Sequence, residues 1–157
     1  MMSTPAAATM EPSTVFQIDS PRFGTLEIHA EQVLHFGEGI LGFPDLRRFV
    51  RIAPESCEPL EFLVPVDEPR LAFPLLNPYL VNASYDFDLN EPEQRAIGLA
   101  PGGAILVYCV ATLGTKADQA TVNLLAPILI NPENRRGRQL VLEGTCHSTA
   151  APLFDKG

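Results

Sequence analysis

Gly37-Glu38-Gly39-Ile40-Leu41-Gly42 spells G-x-G-x-x-G, the glycine pattern of a dinucleotide-binding turn. That chemistry needs a strand leading in. It also needs a helix that starts inside the glycine run, so that free N–H groups and the positive helix end face a pyrophosphate. Val33-Leu34-His35-Phe36 reads as the strand. The helix has no room. Pro44 follows at once, Pro54 and Pro59 come next, and the residues between them allow about two helical turns where a crossover needs ~10 residues or more. The run therefore reads as a tight turn with positive φ at one or more glycines.

Three other groupings have the right residue types for chemistry. Asp86-Phe87-Asp88-Leu89-Asn90 opens like a calcium loop. Such a loop wants glycine at its sixth position and glutamate at its twelfth, where this chain has Glu91 and Ile97. It reads instead as an acidic, helix-capping loop. Cys146-His147 is the one adjacent Cys/His pair, while His29, His35, Cys57 and Cys109 are scattered. Neither zinc-ligand spacing nor a nucleophile signature emerges. Arg135-Arg136-Gly137-Arg138 is a basic cluster expected on a solvated turn. P-loop, nucleophile-elbow and metalloprotease motifs are absent from the sequence. The residues point to binding, not catalysis, with no metal and no cofactor.

The elements that must position these residues are short. The chain has 157 residues, 46% of them hydrophobic, which fits one domain with a sizeable core. Fifteen prolines beside 11 glycines argue against long helices. The net charge of −8 disfavours direct contact with a phosphate backbone and suits a basic protein partner. Three widely spaced cysteines read as reduced cytosolic thiols. Residues 1–13 read as a disordered tail without a secretory signal. No apolar run approaches the ~18 residues of a membrane span.

Strands are expected at Val15–Ile18, Thr25–His29, Val33–Phe36, Phe62–Val66, Leu71–Leu76, Thr121–Leu125, Ile128–Ile130 and Gln139–Leu142. Ala104–Leu113 is expected to be a fully buried central strand. Pro65 and Pro74 suggest edges or bulges, and such edges could pair with a partner segment. A short helix is expected within Pro44–Phe49. The best-marked helix opens at Asn90, with Glu93 at the capping-box position and Gly98 closing the end. The fold class is mainly β: a small closed or partly open barrel of about nine or ten short antiparallel strands with one or two short helices, in a single domain over residues 14–157.

Four stretches in order carry a resemblance. His35 to Phe43 resembles an "hF-x-x-GI-x-GF" signature, built here on Phe36, Gly39, Ile40, Gly42 and Phe43. Leu71 to Tyr79 resembles "aF-x-x-x-NP-f/y", ending on Asn77-Pro78-Tyr79, and Tyr85 to Leu89 resembles "Y-x-F-x-l". Thr121 to Asn131 follows "T-x-NL-x-API-x-IN" through Asn123, Ala126, Pro127 and Asn131. These motifs are those of the flagellar assembly factor FliW family, over roughly residues 14 to 154. The departure is at Cys146-His147-Ser148-Thr149-Ala150-Ala151, where family members often carry a tyrosine and basic residues.

The resemblance implies a small cytoplasmic β-barrel factor without catalysis, expected here as a monomer. It implies binding to newly made flagellin and, once flagellin is exported, to the RNA-binding regulator CsrA, which relieves repression of flagellin translation. It also implies that the glycines form a structural turn, with Ile40 and Phe43 plugging the core. The candidate partner surface is the acidic loop Asp86, Asp88 and Glu91 with Asn77, Pro78 and Tyr79. Asn77 and Asn123 equally suit the satisfaction of backbone groups in turns. The competing readings are a small flavin- or nucleotide-binding barrel and a domain of the same fold with a changed partner.

Overall fold

Alternation along the strands builds two faces, and both are covered. In the computed structural model, which describes residues 14–114, 119–143 and 147–152, β1 (Val15–Ser20) and β2 (Gly24–His29) form an antiparallel hairpin. Its turn is closed by the Ser20 hydroxyl, which accepts from the N–H groups of Arg22 and Phe23 at 3.2 and 3.1 Å. Then follow β3 (Leu34–Phe36), β4 (Arg48–Ile52), β5 (Glu61–Pro65), β6 (Phe73–Leu76), helix α1 (Glu91–Ala96), β7 (Leu106–Thr112), β8 (Thr121–Val122), β9 (Ile128–Asn131), β10 (Arg136–Gln139) and β11 (Ala151–Pro152). The proposed tail, residues 1–13, lies outside the described residues, as does Cys146.

Seven strands close a barrel. β3 to β7 pair in sequence, β7 pairs β9, β9 pairs β10, and β10 returns to β3. Every ladder is antiparallel except this last, where Arg136↔His35 and Gly137↔Phe36 run parallel. β8 and β11 extend the sheet beyond β7. Inside the barrel lie Phe36, Phe49, Leu63, Leu75, Ile128 and Ile130. The alternate residues of β4 and β5, Val50, Phe62 and Val64, form a second core under the β1–β2 hairpin. The outer faces of β7 and β9 are covered by residues from 81–105 together with Leu140, Leu142 and Ala151.

Several expectations are revised. Pro44 and Asp45 are turn residues, Leu46 and Arg47 are irregular and β4 begins at Arg48, so no helix forms there. Ladders on both sides, Leu34↔Phe49 and Phe49↔Pro65, outweigh any local helical preference. The arginine cluster is not a turn either: Arg136 to Arg138 are in β10, and only Arg135, at φ 61°, shapes the turn. The strand expected at Gln139–Leu142 is instead Arg136–Gln139. β7 is central, yet Leu106, Val107 and Val110 are only half-buried.

The prolines of β5 and β6 sit in barrel strands, not edge strands. Each nonetheless lies where its strand has one neighbour. Pro65 pairs with Phe49, beyond the end of the β5–β6 ladder, and Pro74 pairs with Phe62, one residue before the β6–β7 ladder begins. A staggered barrel hides the missing N–H groups at its rims.

Gly39 (φ 66°) and Gly42 (φ 83°) hold the turn, closed by mutual hydrogen bonds between Ile40 and Phe43. A Cβ on Gly39 would stand 2.7 Å from Pro44 Cα, whereas one on Gly42 meets open space. Gly39→Ala is therefore expected to lower unfolding stability by about 2–4 kcal/mol, backbone strain plus displacement of Pro44. Gly42→Ala should lose about 1–2 kcal/mol, strain alone. Urea denaturation of the two variants checks the ordering.

Candidate functional site

The segment after β6 turns away from the barrel because Pro78 has no N–H to continue a ladder. The Asn77 side chain accepts the Tyr79 N–H at 2.9 Å and caps the single turn Pro78–Leu80. Pro78 is buried beneath it, while Tyr79 is 43% exposed. Tyr79 stands edge-on to Tyr85, whose ring also meets Phe87 and His147, with centroids at 5.8, 5.8 and 4.6 Å. Tyr85 anchors this cluster. It is buried, its hydroxyl donates to the Leu124 carbonyl at 2.7 Å, and it receives a weak bond from the Cys109 thiol at 3.9 Å. Burial above all drives the Tyr85 phenol upward from its ordinary range, and the same cause pushes the Cys109 thiol up to about 11. Both are neutral packing groups.

The aromatic anchor fixes the acidic loop. His147 Nε2 donates to the Asp86 carbonyl at 2.9 Å, and the Asp86 carboxylate accepts the Phe87 N–H at 2.9 Å. Asn90 caps α1 by accepting the Glu93 N–H at 2.9 Å, and Gly98 closes its end at φ 63°. Glu93 does not turn back to complete a capping box; its carboxylate takes the Arg138 guanidinium, which also meets Glu38 at 2.9 Å. These carboxylates, Glu38 first, raise the Arg138 pKa.

The structure brings together three of the six candidate residues. Asn77, Tyr79 and Asp86 line one groove of about 490 Å³ with Phe87 and Leu89 on one wall and the start of β7 on the other. Asp88 lies next door, in a depression of about 590 Å³ that shares Asp86 and contains Glu93 and Arg138. Pro78 is buried and does not line the groove, and Glu91 is exposed on α1, 3.9 Å from Arg95.

Beside the groove is a cluster that sequence reasoning missed: Glu61 and Tyr108 line the groove, and Arg51 lines a neighbouring depression. Arg51, Glu61 and Tyr108 point into the barrel mouth, in register with the inward residues Phe49, Leu63 and Leu106. Arg51 donates to the Tyr108 hydroxyl, sits 5.3 Å over its ring, and lies 3.4 Å from Glu61. Tyr108 donates to Glu61 at 3.3 Å. Burial raises the Tyr108 pKa, with Arg51 opposing and Glu61 assisting. The signal in the sequence was a charged residue on the inward period of β4 and of β5.

The glycine hexad lines a separate depression of about 540 Å³ with Ala96 and Arg138. Its Leu41 N–H is taken by the Gln139 side chain at 2.7 Å, and the chain leaves it into Pro44 and β4 without a helix. The geometry of a dinucleotide turn is not formed. Ile40 is buried, but Phe43 does not plug the core: it is 37% exposed, its ring edge-on to Phe73 at 5.1 Å on the barrel rim. Phe36, Phe49 and Leu63 already fill the interior. Asn123 accepts the Leu125 N–H at 3.0 Å, Ala126 accepts from Gln139, and Pro127 accepts from Leu140, so this motif shapes the β8–β9 bend. Among the described residues no three His, Cys, Asp or Glu side chains converge on a metal position, and no helix is long and apolar enough to cross a membrane.

Comparison with known proteins gives one consistent result. The family described as "FliW protein" matches residues 17–153. A protein named "Flagellar assembly factor FliW" from Geotalea uraniireducens (strain Rf4) is 36% identical over 139 residues, covering 88% of this chain and 85% of the relative. Another of that name, from Moorella thermoacetica, is 37% identical over 139 residues, covering 88% of each. A solved structure titled "Crystal structure of the flagellar assembly factor FliW" superposes with a TM-score of 0.85 at 30% identity, covering 90% of this chain and 99% of that one. The ordered motifs, the closed barrel and matches that run nearly end to end agree: this chain belongs to the FliW family.

Proposed function

We propose that the chain is a cytoplasmic, non-catalytic flagellar assembly factor that binds flagellin and, when free of it, binds and antagonises the translational regulator CsrA. Flagellin export would thereby govern flagellin synthesis. The observation that carries this reading is family membership over residues 17–153. The surface supports it. The groove carries an aromatic at its rim, Tyr79, and carboxylates at Asp86 and Glu61, in a chain of net charge −8. Such a surface favours encounter with a basic partner and disfavours nucleic acid. Mutual exclusion follows from overlapping sites or from two conformations of different affinity. The protein is expected to act as a monomer.

Titration calorimetry against the same organism's CsrA-type regulator, with and without flagellin, tests the switch. Binding that flagellin abolishes is the expected result; a folded sample that binds neither partner sinks the reading. Reversing Asp86 and Asp88 to lysine should weaken regulator binding about tenfold at low salt, without altering the melting temperature. Unchanged affinity at low salt would remove that loop from the interface.

A further inference from the structure

On the side away from β9, β7 carries a length of backbone that no strand pairs. β10 accepts and donates toward β9 through its even residues, since Leu140 N–H bonds to the Pro127 carbonyl and Leu129 pairs with Arg138. The odd residues of β9 therefore face β10, and Ile128 and Ile130 face β7. Their partners, Tyr108 and Leu106, are thus the β7 residues whose N–H and C=O groups point to β9. The Val110 carbonyl, which accepts the Asn123 N–H at 2.9 Å, agrees with this parity. By the same alternation, Ile105, Val107 and Cys109 direct their backbone groups to the opposite side, toward β6.

There β6 serves only Cys109, opposite Leu76. One pair further on, Val107 would meet Pro78. That residue has no N–H, and its carbonyl is already taken by the N–H groups of Val81 and Asn82, each at 3.0 Å. Among the described residues no backbone group is bonded to the N–H or C=O of Val107 on this side. The unpaired edge forms one wall of the groove already described, with Asn77 and Tyr79 at one end and Asp86, Phe87 and Leu89 opposite. Ile105, Leu106 and Val107 are half-buried and reachable.

We propose that this edge is a strand-addition site: an extended segment of a protein partner, apolar residues alternating with basic ones, pairs with β7 at Ile105–Val107 and continues the barrel sheet where β6 stops. Ile105 and Val107 supply up to four backbone groups for such a segment, which is how sheet-edge recognition gains affinity. Pleating divides its side chains into two sets. Those beside Val107 share its outward face, against Phe87 and Leu89. Those beside Leu106 and Tyr108 turn toward the Glu61 carboxylate at the barrel mouth. The carboxylates of Asp86 and Glu61 set the charge of the segment. The proposal deepens the partner-binding reading above and rests on it for the groove being a partner surface.

The probe is the acetylated and amidated heptapeptide Val-Lys-Ile-Lys-Val-Lys-Ile at millimolar concentration, with the full chain, read by amide hydrogen exchange. In the free protein the Val107 amide should exchange much faster than those of Leu106 and Tyr108. Peptide should slow Val107 by about tenfold or more, and a twin N-methylated at alternate residues, which cannot pair, should lose about tenfold in affinity. Asp86→Lys, at an exposed position, should weaken the peptide without changing Val107 exchange in the free protein. Slow Val107 exchange without peptide, absence of protection at millimolar peptide, or equal binding of the methylated twin would each overturn the proposal. Val107 protection that rises with protein concentration alone would give the edge to a second copy and overturn it too. Neither flagellin nor the regulator is used, so failure here leaves the switch standing, and failure of the switch leaves this edge to be read.

Discussion

Gly137→Ala should destabilise the protein by about 1–3 kcal/mol, an overpacking cost that depends on one ring. Gly137 is buried in β10 at the parallel closure, directly paired with Phe36 of β3. A Cβ there would overlap the Phe36 ring. That ring is fully buried and edge-on to Phe49 at 5.1 Å, so it has nowhere to retreat. Truncating the ring itself, Phe36→Ala, should cost about 3–5 kcal/mol through the cavity left inside the barrel. Because the two sites share one volume, their effects should not add. Phe36→Leu combined with Gly137→Ala should be more stable than the sum of the singles indicates. Urea unfolding of the four-member cycle measures this. Strict additivity would mean that Phe36 does not fill the space Gly137 leaves.

Asn131→Asp should be nearly as damaging as Phe36→Ala although it changes one side-chain group. The Asn131 amide is 2% exposed. Its nitrogen donates to the carbonyls of Ile97 and Gly98 at 2.9 and 3.2 Å, and its oxygen accepts the Glu133 N–H at 3.0 Å. It ties the β9–β10 turn to the end of α1. A carboxylate there turns its second oxygen on two carbonyls. The expected loss is about 2–4 kcal/mol at neutral pH, from an unpaired buried charge. Burial and the facing carbonyls raise this carboxyl's folded pKa above its unfolded value of about 3.9. The sign follows: the protonated form is the tolerated one. Relative to the parent, the variant loses least below that unfolded value and most above the raised folded pKa. A stability difference flat between acid and neutral pH would place the side chain in water.

Much of the fold was legible from local chemistry. Glycine turns, proline breaks and alternating strands gave a mainly β chain, and Asn90 and Gly98 marked α1 because caps are set by adjacent residues. The motifs around Asn77 and Asn123 each announced a turn that the side chain closes. The candidate site was legible in part. Asn77, Tyr79 and Asp86 are separated by few residues, so their meeting in one groove needed little tertiary information, while Glu91 was too far around α1 to join them.

By itself, the sequence determined the identity of the turns, the strand-rich composition, the acidic character and, through four ordered motifs, the family. The tertiary structure alone decided the parallel closure of β3 with β10, since pairing between residues about a hundred positions apart leaves no local periodicity. It alone decided that Arg51, Glu61 and Tyr108, on three strands, meet in the barrel mouth, and that Phe43 stays on the rim. It also decided where the ladder fails. Pro78 announced a missing donor, but only the register between β6 and β7 turns that absence into an open edge at Val107.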